Sequence, residues 1–279
     1  MGRLVLHIGM HKTGTSSIQR FLSRNRQLLA AFGIDYTTAR GRDGRRLPKH
    51  NDLFRAITAE KDHGAPDPDF GASAGRIAAL GARVARIRGT VVVSAEGLSG
   101  PDPAFAQALA PLTGLDVRVV VFLRRQDMWV ESFYTQMIRN QEVREHRSFA
   151  DFLADPATRA QLDYAGLLGR WGQVFGRERL AVVAFDGREP PVAAFLRAAG
   201  LPEGLARLPH GRAWLNTMPP PDALRRLRAA NTEDATTPTE APLGFVSEEE
   251  RAAFLADYED TTAQIAAAYG VTLPGISDA

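Results

Sequence analysis

Near the start of the chain, Gly9-Met10-His11-Lys12-Thr13-Gly14-Thr15 has the residue types and spacing to hold an anion. Gly9 and Gly14 let backbone N–H groups converge, Lys12 adds a full charge, and Thr13, Thr15, Ser16 and Ser17 supply hydroxyl donors. A nucleoside-triphosphate loop places its lysine directly after the second glycine, where it reaches the β and γ phosphates, followed by a hydroxyl that holds magnesium. Here Thr15 stands in that place and Lys12 precedes Gly14 by two, so the lysine serves a group attached to the phosphate rather than a third phosphate and its metal. Only Lys12, Lys49 and Lys61 of the 34 basic residues are lysines, which marks a lysine in this loop as a chemical requirement.

The second constellation is Arg124 with Ser132, eight apart. Placed at a strand's carboxyl end and one to two turns into the next helix, a guanidinium and a hydroxyl converge on one further anionic group. Glu96, just past another strand, is the first choice for a base that takes a proton from an acceptor. His11 beside Lys12 is the second, and His50, after an arginine-rich loop facing a substrate, the third.

These residues need a scaffold whose strands end at one edge. Leu4, Val5, Leu6 and Ile8 read as a buried parallel strand, Gly9 to Thr15 as the turn, and Ser16 to Leu29 as a helix. Further strands are expected at 33–36, Thr90 to Ser94, Val117 to Leu123 and Leu180 to Phe185, the last ending at Asp186. Helices are expected between them: Asp52 to Ala59, Arg76 to Arg88, Pro103 to Leu112, Met128 to Arg139 with Asp127 as its cap, Phe149 to Leu153, and Leu162 to Phe175. Pro191 to Ala199, Asp222 to Ala230 and one long helix from Ser247 to Tyr269 follow, the last opened by the capping box Ser247-Glu248-Glu249-Glu250. The alternation specifies an α/β fold, a mostly parallel central sheet with helices on both faces, in a single domain over residues 1–279.

Composition narrows the chemistry. With 34 basic and 32 acidic residues the net charge is +2, so no polyanion surface is demanded and nucleic acid is not expected as a partner. The absence of cysteine excludes a disulfide framework, a thiol nucleophile and cysteine-ligated metal. The six histidines offer no zinc pair on a helix, and no metal is expected. No apolar stretch reaches membrane-spanning length and no leader precedes the first strand, so the expected location is cytoplasmic.

LHIGMHKTGTSSIQ followed by VVVFLRRQDMWVESFYTQ resembles the P-loop-type sulfotransferases, and LDYAGLLGRWGQVFGRERLAVVAFD over Leu162 to Asp186 resembles their bacterial branch. The resemblance implies a P-loop NTPase-like sulfotransferase fold and 3′-phosphoadenosine 5′-phosphosulfate (PAPS) as donor, leaving PAP as product. It implies that Lys12, Thr13, Gly14, Thr15 and Ser16 grip the 5′-phosphosulfate and that Arg124 and Ser132 hold the 3′-phosphate. It also implies a histidine or glutamate base from the region of Glu96. The arginine-lysine-glycine loop of the small-molecule enzymes has no recognisable counterpart near the C-terminus, so the adenosine contacts stay unassigned.

Sulfuryl transfer needs in-line positioning and neutralisation of charge on the bridging oxygen, which Lys12 supplies, and a donor without a polyphosphate tail needs no magnesium. The acceptor would be a hydroxyl or amine of a saccharide, lipid or small metabolite, recognised by the segments Tyr36 to His50, Asp62 to Ser73, Asn140 to Ser148 and Trp214 to Pro221. Two alternatives stand beside this reading. One is a P-loop kinase or NTPase using Asp186 for magnesium; the other is a non-catalytic nucleotide- or glycan-binding relative.

Overall fold

The computed structural model of the protein describes residues 2–38, 46–63, 65, 71–209, 219–231 and 240–274. The expected breaks and loops at 39–45, 64 and 66–68, 214–218 and 232–239 lie outside the described residues. In chain order the elements are β1 (Arg3–His7), α1 (Thr15–Arg24), α2 (Arg26–Ala31), β2 (Ile34–Asp35), α3 (Asn51–His63), α4 (Ser73–Arg86) and β3 (Thr90–Ser94). Next come a 3-10 turn (Glu96–Ser99), α5 (Ala104–Ala108), β4 (Asp116–Leu123), α6 (Gln126–Arg139), α7 (Phe149–Ala154), α8 (Pro156–Leu162) and α9 (Tyr164–Phe175). The chain finishes with β5 (Leu180–Ala184), α10 (Pro191–Ala198), α11 (Pro221–Ala230), α12 (Glu248–Ala256) and α13 (Glu259–Tyr269).

The chain divides into two compact units, Met1–Leu123 with Ala165–Arg212 and Arg124–Tyr164 with Ala213–Ala279. The first holds a five-stranded sheet in the order β2-β3-β1-β4-β5, with every pairing parallel. Parallel strands lie buried on both faces, which is why they read as unbroken apolar runs. On one face Val5, Val92, Val120 and Phe122 pack with Ile18, Phe21 and Leu22 of α1 and Phe195 and Leu196 of α10. The alternate residues Leu4, Leu6, Val91, Val93, Val119 and Val121 are equally buried. The register pairs His7 with Ser94 on β3 and with Val120 on β4, so β1 lies centrally and its carboxyl end is flanked on both sides.

The second unit is helical among its described residues. Tyr134 of α6 packs its ring 5.1 Å from Phe152 and 5.4 Å from Phe149, which in turn lies 5.1 Å from Phe245. The buried Arg228 donates to Tyr134 Oη at 3.0 Å and to the carbonyls of Ala241 and Pro242. The segment from Asn140 to Ser148, expected to be a variable acceptor loop, is held down. Glu145 accepts from Arg147, Asn231 Nδ2 donates to Glu145 O at 2.8 Å, and Tyr134 Oη donates to Arg147 O at 2.7 Å.

Several helix expectations change: Pro103 to Leu112 divides at Leu109 into α5 and a 3-10 turn, and α8 forms where no helix was expected. The first helix breaks at Asn25, whose Nδ2 donates to Phe21 O and Pro209 O and ends α1 a turn early. The final helix divides at Asp257 and Tyr258 into α12 and α13. Its start is as read: Ser247 Oγ accepts from Glu250 N, and Glu250 Oε2 accepts from Val246 N. No helix among the described residues is long and apolar enough to cross a membrane.

Candidate active site

The turn after β1 is built from positive-φ residues. Gly9 has φ 29°, Lys12 64° and Gly14 81°, and these bends fold the chain back over the strand end. A Cβ on Gly14 would stand 2.5 Å from Pro191 Cγ, and one on Gly9 would stand 2.9 Å from Thr15 Oγ1, so both positions need glycine for space as well as for φ. Lys12 takes the left-handed conformation with a side chain, at a cost of about 1–3 kcal/mol that the surrounding turn must offset.

Two hydroxyls expected to face the phosphate turn inwards. Thr13 Oγ1 donates to Met10 O at 2.7 Å and Thr15 Oγ1 to the same carbonyl at 3.2 Å, and both side chains are buried. They hold the turn shut because buried hydroxyls need partners and Met10 O is the nearest acceptor. Ser16 and Ser17 remain exposed on the first turn of α1. That helix has no acidic residue in its first turn and no side-chain cap, and Ser17 N and Ile18 N both donate to Gly14 O. The N–H groups of Thr15 and Ser16 therefore point out of the helix end towards any anion seated there.

Glu96 opens the 3-10 turn two residues beyond Ser94, and His11 lies four beyond His7, so the parallel register brings both to one edge. His11 Nδ1 stands 3.9 Å from Glu96 Oε2, an ion-pair distance too long for a hydrogen bond, with the side chains 35% and 16% exposed. Burial lowers the His11 pKa, Glu96 works against that, and Lys49 and Lys12 add to it, so the ring is neutral at neutral pH. The structure thus gathers Lys12, His11, Glu96 and Lys49 at the end of β1. His50 is different: its Nδ1 accepts from Ser94 N and its Nε2 lies 3.2 Å from Thr37 O, and burial pulls its pKa to about 4. Both ring nitrogens are engaged with backbone, so His50 is a framework residue rather than a base.

A polar relay beneath the turn escaped the sequence reading. His7 Nδ1 lies 2.8 Å from Ser94 Oγ, which also accepts from Gln19 Nε2 at 3.1 Å. All three are buried, and the relay ties the second turn of α1 to β1 and β3, fixing where the helix start points. His7 packs against the rings of Phe122 and Phe195, and burial drives its pKa down to about 3. The signal was present as a lone histidine inside an apolar strand and a serine closing the next. His7 and His11 are four apart, but they straddle the end of β1, so no helical face presents both to a metal.

In the second unit, Arg124 directly follows β4 and Ser132 falls in the second turn of α6; both are half-buried. Tyr164 Oη donates to Arg124 O at 2.7 Å. Burial lowers the Arg124 pKa, and Tyr164, Asp127 and Glu131 partly restore it. Asp127 does not cap α6: the cap position is Arg125, with no side-chain bond, and Asp127 sits fully buried inside the first turn. Its carboxylate accepts from Arg125 Nε at 2.7 Å and Nη2 at 2.9 Å and from Arg251 Nη1 at 2.6 Å. The carboxylate also takes a bond from the Met128 backbone N–H, with the two charge-assisted guanidinium bonds the stronger. Asp186, considered as a magnesium ligand, accepts from Arg188 N at 2.8 Å and follows β5, which borders β4 at the sheet edge rather than β1.

No protein-family model matches the chain, and no curated protein sequence matches it. Among solved structures, the crystal structure of a sulfotransferase from Alicyclobacillus acidocaldarius superposes with a TM-score of 0.55 and 19% identity, over 96% of this chain and 96% of that one. The likeness establishes a shared α/β fold.

Proposed function

We propose that this protein is a PAPS-dependent sulfotransferase acting on a hydroxyl or amine of a saccharide, lipid or small-metabolite acceptor in the cytoplasm. The observation that carries the reading is the uncapped start of α1 behind a left-handed lysine, with His11 and Glu96 at the same strand end. The fold shared with a sulfotransferase over nearly the whole of both chains supports it.

The residues fit such a donor. Gly9 and Gly14 let the turn close directly against Thr15 and Pro191, and the Thr15 and Ser16 N–H groups with Lys12 would hold one phosphate. When bound, the donor supplies an activated sulfuryl group, and no metal is assigned. Lys12 then holds negative charge at the bridging oxygen, and the helix N-terminus adds to it without reorganisation. Glu96 takes the acceptor's proton at its carboxylate, with neutral His11 beside it as the second group able to hold a proton. Arg124 and Ser132 are assigned the 3′-phosphate, on their residue types and spacing.

The test is a thermal-shift series with PAP, PAPS, ATP with magnesium, and AMP on the intact protein and on Lys12→Ala. PAP and PAPS should raise Tm without metal, and Lys12→Ala should reduce the rise. A magnesium-dependent rise with ATP that exceeds the PAP effect would instead assign an NTPase.

A further inference from the structure

The first unit leaves two large apolar side chains in water, and both belong to α2 and the residue that ends it. Leu28 is 51% exposed and Phe32 60%; they are four apart and so share one helical face, with the exposed Ala31 beside them. Leu29 is the buried residue of α2, so the helix is pinned on one side and bare on the other. The other exposed large apolar residues among those described, Val143, Leu227 and Val246, lie in the second unit.

The setting is cationic. From Met1 to Ile34 the chain has Arg3, Lys12, Arg20, Arg24 and Arg26 and no acidic residue. Arg24 and Arg26, both exposed, flank Asn25 at the junction of α1 and α2. Gly33, next to Phe32, lies against Gly89: a Cβ on Gly89 would stand 2.1 Å from Gly33 O, which accepts from Thr90 N at 2.8 Å. That contact brings the exposed Arg88 to the same rim. Asp35, Asp116 and Glu203, on elements that reach this edge, each have an arginine: Arg83, Arg3 and Arg197. Glu178 precedes β5, the strand farthest from β2.

The rim lies across the sheet from the candidate catalytic groups. Arg3 N donates to Gly89 O at 2.8 Å and Ile34 pairs with Thr90, so the end of α2 sits at the amino ends of β1 and β3. Lys12 and Glu96 follow the carboxyl ends of those two strands. A surface seated on α2 therefore leaves the turn after β1 facing water.

Projecting apolar groups ringed by arginines match a bilayer with anionic head groups, where the apolar groups enter the head-group layer and the guanidiniums stay with the lipid phosphates. Pairing two copies of this face symmetrically would instead set arginine against arginine. Duplex nucleic acid offers Leu28 and Phe32 a polar, charged partner with little to bury them in.

We infer that α2 and the arginines around it dock the protein reversibly on a membrane surface rich in anionic lipid. Co-sedimentation of the intact protein tests it, with vesicles of equal parts phosphatidylcholine and phosphatidylglycerol against vesicles of phosphatidylcholine alone. The anionic vesicles should bind at least about tenfold more protein, and raising salt from about 0.1 M to about 1 M should release it. Leu28→Ser together with Phe32→Ser should cut binding at least about tenfold. Both positions are more than half exposed, so these changes leave the core of the unit intact. Arg26→Gln and Arg88→Gln should each cut binding about fivefold, and Val246→Ser should leave it unchanged. The inference is overturned if anionic vesicles bind no better than neutral ones, if the apolar pair or the arginine variants bind as the wild type does, or if Val246→Ser loses as much. Tighter binding to duplex DNA than to anionic vesicles in the same buffer would assign the face to nucleic acid and overturn it as well. PAP stabilisation reads the opposite edge of the sheet, so the donor reading stands or falls separately.

Discussion

The ends of β1 and β4 both run into a helix, yet the two helix starts are finished in opposite ways. At α1 the cap is a glycine, the first turn carries no acid, and the nearby threonine hydroxyls are spent on Met10 O. At α6 the first turn holds Asp127, clamped by Arg125 and Arg251, so the protein's own carboxylate already answers the local positive charge. One helix start carries no carboxylate of its own; the other is neutralised from within. On the proposed reading, an anion near Arg124 would be held by side chains, whereas one on the turn after β1 would be held by backbone as well.

That contrast is broken or sharpened by substitution. The largest effect belongs to the turn: Lys12→Ala should lower kcat by about 10²–10³, the loss typical of a group that stabilises developing charge. Glu96→Gln should lower kcat by about 10²–10⁴ while leaving PAP affinity unchanged. Full sulfuryl transfer in both variants would remove the turn from the chemistry. On the other side, Arg124→Ala should weaken PAP binding by about 10- to 100-fold by calorimetry, and Ser132→Ala by a few-fold, with kcat at saturating donor preserved. A fall in kcat with unaltered affinity would reverse the roles assigned to the two regions.

Gly14→Ala separates geometry from charge. The forced contact with Pro191 and the positive φ should cost about 1–3 kcal/mol in a denaturant titration, and PAP stabilisation should vanish although every charge remains. An Ala variant of wild-type stability that still binds PAP would show that the close approach is not needed.

The smallest effect appears only in mild acid. His7 has a folded pKa of about 3 against an ordinary 6.5, so between these values the unfolded chain binds the extra proton. Stability is therefore complete above about pH 6.5 and falls as pH drops, by about 1.4 kcal/mol at pH 5.5 for this one group. His7→Asn should flatten that limb. In the second unit burial pushes the Asp127 pKa up, but bonds from Arg125 and Arg251 more than reverse it, leaving it below 3.8. Its contribution is present above that value and lost as pH falls through the lowered one, so Asp127→Asn should alter only the more acidic part of the profile.

Much of this was legible from local sequence. The strands Thr90–Ser94 and Leu180–Ala184 show as apolar runs because parallel strands are covered on both faces. Gly9 and Gly14 marked the turn because few other residues accept positive φ, and Ser247 with Glu250 marked a helix start because a capping box closes within four residues. The same local reading took Asp127 for a cap. It lies inside the first turn instead, and its partner Arg251 is 124 positions away, a bond no local pattern could announce.

The sequence alone therefore determined most element types, the turn after β1 and the identity of its charged residues, since these follow from backbone preferences and periodicity over a few positions. Tertiary structure decided the strand order β2-β3-β1-β4-β5, the approach of His11 to Glu96, the inward turn of Thr13 and Thr15, and the burial of His7 and His50. Each of those depends on which distant surfaces meet and on how buried polar atoms find partners once water is gone.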